Sequence, residues 1–224
     1  MQTYFLHIPR TSGRATHTDL HDAGVNLSTL SLDTYLSANS WERNSLLCGH
    51  FGNHPVRNNL NVQAFTLVRD VVSHTASMSV FAPEGVSRIE FAKRLIYEQP
   101  SNGFPFVANP QSSFISSDIF FAEKGAWGQY QLPRISFSNA ARNVLDVVNF
   151  ANSNNIKIHS LENRKDFISD VAECFGIYSV GQNTFPSETD NELKEFCINN
   201  KDAILEKHNI DHQLHLHYHA RFMK

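Results

Sequence analysis

Two segments about sixty residues apart each place an arginine directly after an apolar run. The run at 4–8 leads through a proline into the turn Arg10-Thr11-Ser12-Gly13, and the run at 64–68 ends at Arg69. A turn between a strand and a helix points backbone N–H groups outward, and the helix N-terminus adds a partial positive charge. Two such turns, each with an arginine, predict a ligand with two separate anionic ends.

The first turn has the groups that an oxyanion needs. Ser12 and Gly13 allow the backbone to approach the ligand closely, while Arg10, the hydroxyl of Thr11 and the charge of Arg14 would complete its coordination. The Walker order of a glycine, four residues and Gly-Lys-[Ser/Thr] does not occur. A nucleoside triphosphate with Mg²⁺ is therefore poorly served.

The elements around these turns predict an α/β fold in three layers, with a mostly parallel sheet between flanking helices. The apolar runs are short and each is followed by a turn or a helix, as a parallel sheet requires. The predicted strands are 3–8, 45–48, 62–68 and 156–159, and the predicted helices are 14–23, 71–81, 86–97, 140–152, 165–175 and 188–207.

Both turns resemble motifs of one family. Residues 7–13 (HIPRTSG) resemble the 5′-phosphosulfate loop of sulfotransferases that use 3′-phosphoadenosine 5′-phosphosulfate (PAPS), usually Ile-Pro-Lys-Thr-Gly-Gly or Val-Pro-Lys-Thr-Ala-Ser. Residues 66–70 (TLVRD), with Ser77, resemble that family's 3′-phosphate site, in which a strand-end arginine and a serine eight residues later clamp the ribose phosphate. This spacing puts Ser77 about two turns along the helix that follows Arg69.

Three further segments resemble the same family, in the expected order. Residues 46–51 (LLCGHF) are similar to the Gly-His segment of its carbohydrate branch, the heparan-sulfate 2-O-sulfotransferase-like enzymes, where the histidine is the general base. Residues 208–215 resemble the C-terminal Asn-x-x-Asp-x-x-Leu-Tyr signature, with His215 in place of the tyrosine. Residues 109–112 (NPQS) resemble a segment that often lies near the acceptor.

The resemblance implies a P-loop-like sulfotransferase fold and a PAPS-dependent transferase. The sulfuryl group would pass from PAPS to a hydroxyl of a carbohydrate or another small hydroxylated acceptor, and no metal would be required. His50 would accept the hydroxyl proton and Arg10 would stabilise the bridging oxygen. Arg69 and Ser77 would hold the 3′-phosphate.

Departures from the family pattern leave alternatives open. Arg10 replaces the usual lysine, and a planar guanidinium is not interchangeable with an ammonium. The chain could therefore bind PAPS or adenosine 3′,5′-bisphosphate without transferring anything, and a kinase-like enzyme is a third alternative. Arg69 and Asp70 could form a local ion pair that caps the next helix, and His50 could be a structural strand-end residue.

Length and composition indicate a single domain over 1–224. A chain of 224 residues can bury roughly 70% of its unfolded surface in one core. The net charge of -3 does not indicate a nucleic-acid-binding surface. The three cysteines have no metal-binding spacing and are expected to be reduced. No membrane span or signal peptide is predicted, so the expected location is cytoplasmic, in a bacterial or viral protein.

Two regions have competing interpretations. Residues 99–118, rich in proline, glycine, asparagine and serine, are expected to form an acceptor-side lid, and the aromatic residues Phe120, Phe121, Trp127 and Tyr130 after it could stack on a sugar or belong to the core. Four C-terminal histidines fall at helical spacing and could bind a metal, but the sulfotransferase-like tail favours no metal site; they are His208, His212, His215 and His219.

Overall fold

The computed structural model describes most of the chain. The described residues are 1–28, 30, 35, 41–58, 61–100, 106–117, 119–120, 134–135, 141–178 and 190–220. Of the helices in this part of the chain, none is long and apolar enough to cross a membrane.

Five parallel strands form the central sheet in the order β2-β3-β1-β4-β7, and helices flank it on both faces. This confirms the predicted α/β fold with a parallel sheet. The sheet strands are β1 Gln2–Leu6, β2 Leu27–Ser28, β3 Leu46–Gly49, β4 Val62–Val68 and β7 Ile156–Ser160, and a separate antiparallel pair joins β5 Ile119–Phe120 to β6 Arg134–Ile135.

The helices lie between and after these strands. Their bounds are α1 Gly13–Asp22, α2 His54–Asn58, α3 Val71–Met78, α4 Arg88–Tyr97, α5 Pro110–Ser116, α6 Val144–Ser153, α7 Arg164–Glu173, α8 Asn191–Asn199, α9 Lys201–Lys207 and α10 Asn209–Ala220.

Alternating strand side chains fill the two interfaces between the layers. Phe5 and Phe65 face α1 and α7 in one buried cluster. Tyr4 and Leu6 point to the opposite face, where they join a larger cluster with α5, α6 and α10. A third cluster joins α3, α4, α8 and α9. The central strands are apolar on both faces because both faces are covered.

The chain changes direction between β1 and β4. After β1 it passes through α1 to β2 on one side of the sheet, whereas after β4 it continues to β7 on the other side. The carboxyl ends of two neighbouring strands whose connections run in opposite directions leave a crevice between them, and open α/β sheets bind their ligands at this point.

The structure differs from the prediction in several stretches. Strands β2, β5 and β6 and helices α2 and α10 were not predicted. Residues 110–116, expected to be part of a loop, form helix α5, and all seven are buried. The single helix predicted over 188–207 is instead two helices, α8 and α9, which meet at Asn200. Residues 101–105 and 118 of the predicted lid lie outside the described residues.

Candidate functional site

The predicted site residues converge at the carboxyl edge of the sheet. The turn 7–13 follows β1, His50 follows β3 directly, and Arg69 follows β4 directly. Because β1 is paired with both β3 and β4, the three segments are neighbours in space. Arg10 and Arg69 therefore lie on the two sides of the β1/β4 crevice.

The turn after β1 has an unusual backbone. Arg10 and Ser12 both adopt positive φ angles, of 68° and 65°, in the left-handed region that non-glycine residues rarely occupy. Helix α1 then begins at Gly13. A Cβ atom on Gly13 would lie 1.9 Å from the imidazole ring of His7. The close approach of this ring explains why the first residue of α1 is glycine.

Thr11 has a local role in this turn. Its hydroxyl donates a hydrogen bond of 2.8 Å to the carbonyl oxygen of Ile8, and its side chain is fully buried. The structure thus places Thr11 inside the turn, where its hydroxyl stabilises the backbone. Ser12 lies nearer the surface, and its hydroxyl accepts a hydrogen bond of 3.3 Å from Nη1 of Arg164.

Four arginines lie close enough to affect one another at this edge of the sheet. Burial lowers the pKa of Arg10, and the nearby charges of Arg69, Arg88 and Arg14 lower it further. The guanidinium of Arg69 donates a hydrogen bond of 3.4 Å from Nη1 to the carbonyl oxygen of Arg10. Burial also lowers the pKa of Arg69, while Asp70 and Glu162 oppose that shift. Mutually repelling arginines at one edge make a local positive field that favours a multiply charged anion.

Ser77 brings the two predicted anion sites together. It lies near the end of α3, and its Oγ accepts a hydrogen bond of 3.0 Å from Nε of Arg10. The hydroxyl can still donate its own proton to an anion. Asp70 caps α3 by accepting a hydrogen bond of 2.8 Å from the backbone N–H of Ser73. The sequence alternative that Arg69 and Asp70 cap the next helix is therefore correct for Asp70.

A buried glutamine positions the backbone of Arg69. The side chain of Gln111 accepts a hydrogen bond of 2.7 Å from the backbone N–H of Arg69 and donates one of 2.8 Å to its carbonyl oxygen. Asp211 in turn accepts from the backbone N–H of Gln111 and of Ser112, at 2.9 and 2.7 Å. The 109–112 segment and the C-terminal signature are thus linked, and both support the end of β4.

His50 is oriented by a backbone carbonyl. Its Nδ1 lies 2.8 Å from the carbonyl oxygen of His7; because a carbonyl only accepts, Nδ1 carries the proton and Nε2 carries the lone pair. Burial is the main cause that lowers the pKa of His50, with a smaller contribution from His17, while the hydrogen bond to His7 raises it. A neutral imidazole with a bare Nε2 is the form that can accept a proton near pH 7.

Sequence reasoning missed several charged neighbours of the site. Arg164 lies just after the carboxyl end of β7 and forms a buried ion pair of 2.9 Å with Asp19 on α1. The rule that identified Arg10 and Arg69 could also have found Arg164, because β7 is another strand of the same parallel sheet. Arg88 has no such signal, since it begins helix α4, which packs on α3 and on the turn 79–81 and does not follow a strand.

A cavity of about 530 Å³ opens beside Arg69, between α3 and α8. Lys194 and Lys201 add positive charge to its lining, and Ser73 adds a hydroxyl. Ligand cavities typically measure about 300–1,000 Å³. Of the aromatic residues predicted to stack on a sugar, Phe121, Trp127 and Tyr130 lie outside the described residues, and only the backbone of Phe120 is described.

Comparison with known proteins adds no family assignment. Neither the protein-family models nor the curated protein sequences gave a match to this chain.

Proposed function

We propose that the chain is a PAPS-dependent sulfotransferase that acts on a hydroxyl of a carbohydrate or another small acceptor. The observation that carries this proposal is the contact between the two predicted anion sites: Arg10 and Arg69 flank the β1/β4 crevice, and Arg10 bonds to Ser77 across it. Ligands with two anionic groups fit such a crevice. A cytoplasmic location stays a prediction from the sequence.

The 3′-phosphate would bind between Arg69 and Ser77. Gln111 bonds to the backbone of Arg69 and so fixes the point from which the Arg69 side chain extends. Ser77 accepts from Arg10 and would donate its proton to a phosphate oxygen. The cavity beside Arg69 offers room for a group of nucleoside size. A ligand without the 3′-phosphate would lose the charge-assisted hydrogen bonds at this end.

The sulfuryl end would bind at the N-terminus of α1. The backbone N–H groups around Ser12 and Gly13 and the positive end of the helix favour an oxyanion there. PAPS would supply the sulfuryl group on a bridging oxygen, where negative charge increases during transfer. The guanidinium of Arg10 would turn from Ser77 to stabilise that charge.

His50 would act as the general base. The hydrogen bond to the His7 carbonyl fixes the tautomer that leaves Nε2 able to accept the acceptor's hydroxyl proton. A well-placed general base contributes about 10²- to 10⁴-fold to the rate. In-line transfer of this kind depends mainly on positioning and electrostatic stabilisation, which the chain's own side chains provide.

Binding of adenosine 3′,5′-bisphosphate, measured by calorimetry beside AMP and ATP–Mg²⁺, tests the nucleotide site. We expect at least a tenfold preference for the bisphosphate, equivalent to about 1.4 kcal/mol. Arg69→Ala should abolish this preference. Arg43→Ala, which removes an exposed arginine outside the crevice, is the matched control and should retain it. Equal affinity for AMP, or preference for ATP–Mg²⁺, would overturn the proposal.

A non-catalytic nucleotide-binding protein is the second candidate, and the Arg10–Ser77 contact is the observation that favours it. An arginine held on Ser77 can bind an anion without following charge onto a leaving oxygen. Transfer of labelled sulfate from PAPS to a panel of hydroxylated acceptors separates the candidates. Transfer that falls at least about a hundredfold in His50→Ala, with nucleotide affinity unchanged, supports the enzyme. Binding without transfer to any acceptor supports the second candidate.

A further inference from the structure

Three possible metal ligands meet where β7 ends. Glu162 lies in the short 3-10 turn after β7, and His215 and His219 lie one turn apart on α10. The Oε2 atom of Glu162 is 3.1 Å from Nε2 of His215 and 3.8 Å from Nδ1 of His219. All three ligand atoms lie within 4.8 Å of one another.

The two imidazole rings are already arranged side by side. Residues four apart on a helix share one face, and the ring centroids of His215 and His219 are 5.5 Å apart with an angle of 15° between the planes. His215 is buried, whereas Glu162 and His219 are 41% and 38% exposed in their side chains. The Nδ1 atom of His219 is buried and has no hydrogen-bond partner among the described residues. This nitrogen lies 3.8 Å from Oε2 of Glu162, too far for a hydrogen bond, so its lone pair is available to a metal ion.

Only part of the C-terminal histidine series belongs to this cluster. His208 is buried elsewhere, where its Nδ1 accepts a hydrogen bond of 3.1 Å from the backbone N–H of Asn109. Glu162 comes from a separate element about fifty residues earlier, so the helical spacing of the histidines alone does not reveal it. The cluster differs in this way from a site formed by histidines of one helix.

We infer that Glu162, His215 and His219 form a binding site for a first-row divalent cation of the Zn²⁺ type. Two imidazoles and one carboxylate suit Zn²⁺ and its neighbours better than Mg²⁺ or Ca²⁺, which prefer oxygen ligands. Metal–ligand bonds of about 2.0–2.2 Å put ligand atoms about 3.3–3.6 Å apart in a tetrahedral site. The two carboxylate–imidazole separations of 3.1 and 3.8 Å lie on either side of this range.

Three protein ligands leave a fourth position for water, which the partial exposure of Glu162 and His219 would admit. The bound ion would tie α10 to the end of β7. It would also engage the carboxylate of Glu162, whose negative charge otherwise acts on Arg69. The inference does not depend on the proposed transferase activity, because it rests on the three ligands alone.

Titration of chelator-treated, untagged protein with Co²⁺ tests the site, with visible absorption as the readout and Zn²⁺ competition as the measure of affinity. The wild-type chain should bind one equivalent and show the absorption of a low-symmetry, tetrahedral cobalt site. Glu162→Gln and His219→Gln should each weaken binding by more than the roughly 10- to 100-fold that loss of an outer-shell partner typically costs. Both replaced side chains are partly exposed, so both variants should fold.

Two histidine variants serve as controls. His212→Gln replaces a histidine of the same helix outside the cluster, and His21→Gln replaces one on α1 that is 78% exposed. Both should bind metal within about threefold of the wild type, a difference below the roughly 1.4 kcal/mol that a tenfold change represents. The inference is overturned if the wild type fails to take up one equivalent, if Glu162→Gln or His219→Gln binds as the wild type does, or if His212→Gln loses binding as strongly as they do.

Discussion

Nε of Arg10 donates a hydrogen bond of 3.0 Å to Oγ of Ser77, which lies 67 residues later in the chain. The two residues come from the two segments that the proposed function places at opposite ends of one nucleotide. Their contact means that the 5′ and 3′ ends of the proposed site share a hydroxyl. Any ligand that bonds to Ser77 changes the environment of Arg10.

Ser77→Ala should therefore weaken binding of adenosine 3′,5′-bisphosphate about tenfold, the lower end of the 1.5–3 kcal/mol typical for hydrogen bonds to charged groups. AMP lacks the 3′-phosphate, so Ser77→Ala should not weaken its binding. Calorimetric titration of both nucleotides measures the two effects. Ser153→Ala, which changes an exposed serine at the end of α6, is the control. A parallel loss of AMP affinity in Ser77→Ala would show that the serine supports the fold instead.

Gly13→Ala should destabilise the chain because the new methyl group would overlap the His7 ring. We expect a loss of about 1–3 kcal/mol in the free energy of unfolding, the usual cost of overpacking. Urea denaturation gives this value. In a His7→Ala background the methyl group has space, so the same substitution should cost much less. Equal costs in the two backgrounds would contradict the proposed contact, since residues in contact are expected to be non-additive.

His74 is expected to make the fold sensitive to acid. It is buried on α3, and its Nε2 donates a hydrogen bond of 3.0 Å to the carbonyl oxygen of Pro9. Burial is the main cause that lowers its pKa to about 4; Arg69 and Arg10 lower it further, while Asp70 and the bond to Pro9 raise it. In the unfolded chain a histidine has a pKa of about 6.5.

Between these two values the unfolded chain binds a proton that the folded chain does not. The free energy of unfolding should therefore fall with decreasing pH, by up to about 1.4 kcal/mol per pH unit from this group. His74→Gln keeps a donor for Pro9 but cannot titrate, so its stability should decline less steeply between about pH 6 and pH 4.5. Urea denaturation across this range measures the difference. Identical slopes would refute the assignment.

The fold was more predictable than the packing that supports the site. The longer sheet strands were predicted because each is a short apolar run followed by a turn, whereas β2 has only two residues and gives no such signal. Helix α5 was not predicted because proline breaks helix interiors, whereas Pro110 lies in the first turn, where proline is favourable. Its buried polar residues Gln111 and Ser112 also interrupt any apolar periodicity. The side chain of Gln111 bonds to the backbone of Arg69, and the backbone N–H of Ser112 donates to Asp211.

The site was also predictable only in part. Arg10, His50 and Arg69 could be placed near one another because residues that directly follow parallel strands meet at one edge. Glu162 follows β7 in the same way, but a single acidic residue gave no reason to select it. The proximity of His219 to Glu162 depends on how α10 packs against β7. No local pattern in the sequence specifies that packing.

Asn109 and Asp211 cap each other's helices. Oδ1 of Asn109 accepts hydrogen bonds from the backbone N–H groups of Ile210 and Asp211 at the start of α10, at 2.9 and 3.2 Å. The carboxylate of Asp211 accepts from the N–H groups at the start of α5. The exchange joins two segments about a hundred residues apart and, through Gln111, reaches Arg69.

Two replacements of Asn109 should separate two contributions to the free energy of unfolding: the cap that its side chain makes and the left-handed conformation of its backbone. Asn109 has a φ of 49°, in the left-handed region where alanine is disfavoured by about 1–2 kcal/mol and glycine is not. Asn109→Gly should therefore lose only the cap, about 1 kcal/mol in the free energy of unfolding. Asn109→Ala should lose both, about 2–3 kcal/mol. Urea denaturation of the two variants tests this order, and a glycine variant less stable than the alanine variant would show that the left-handed backbone is not what alanine disturbs.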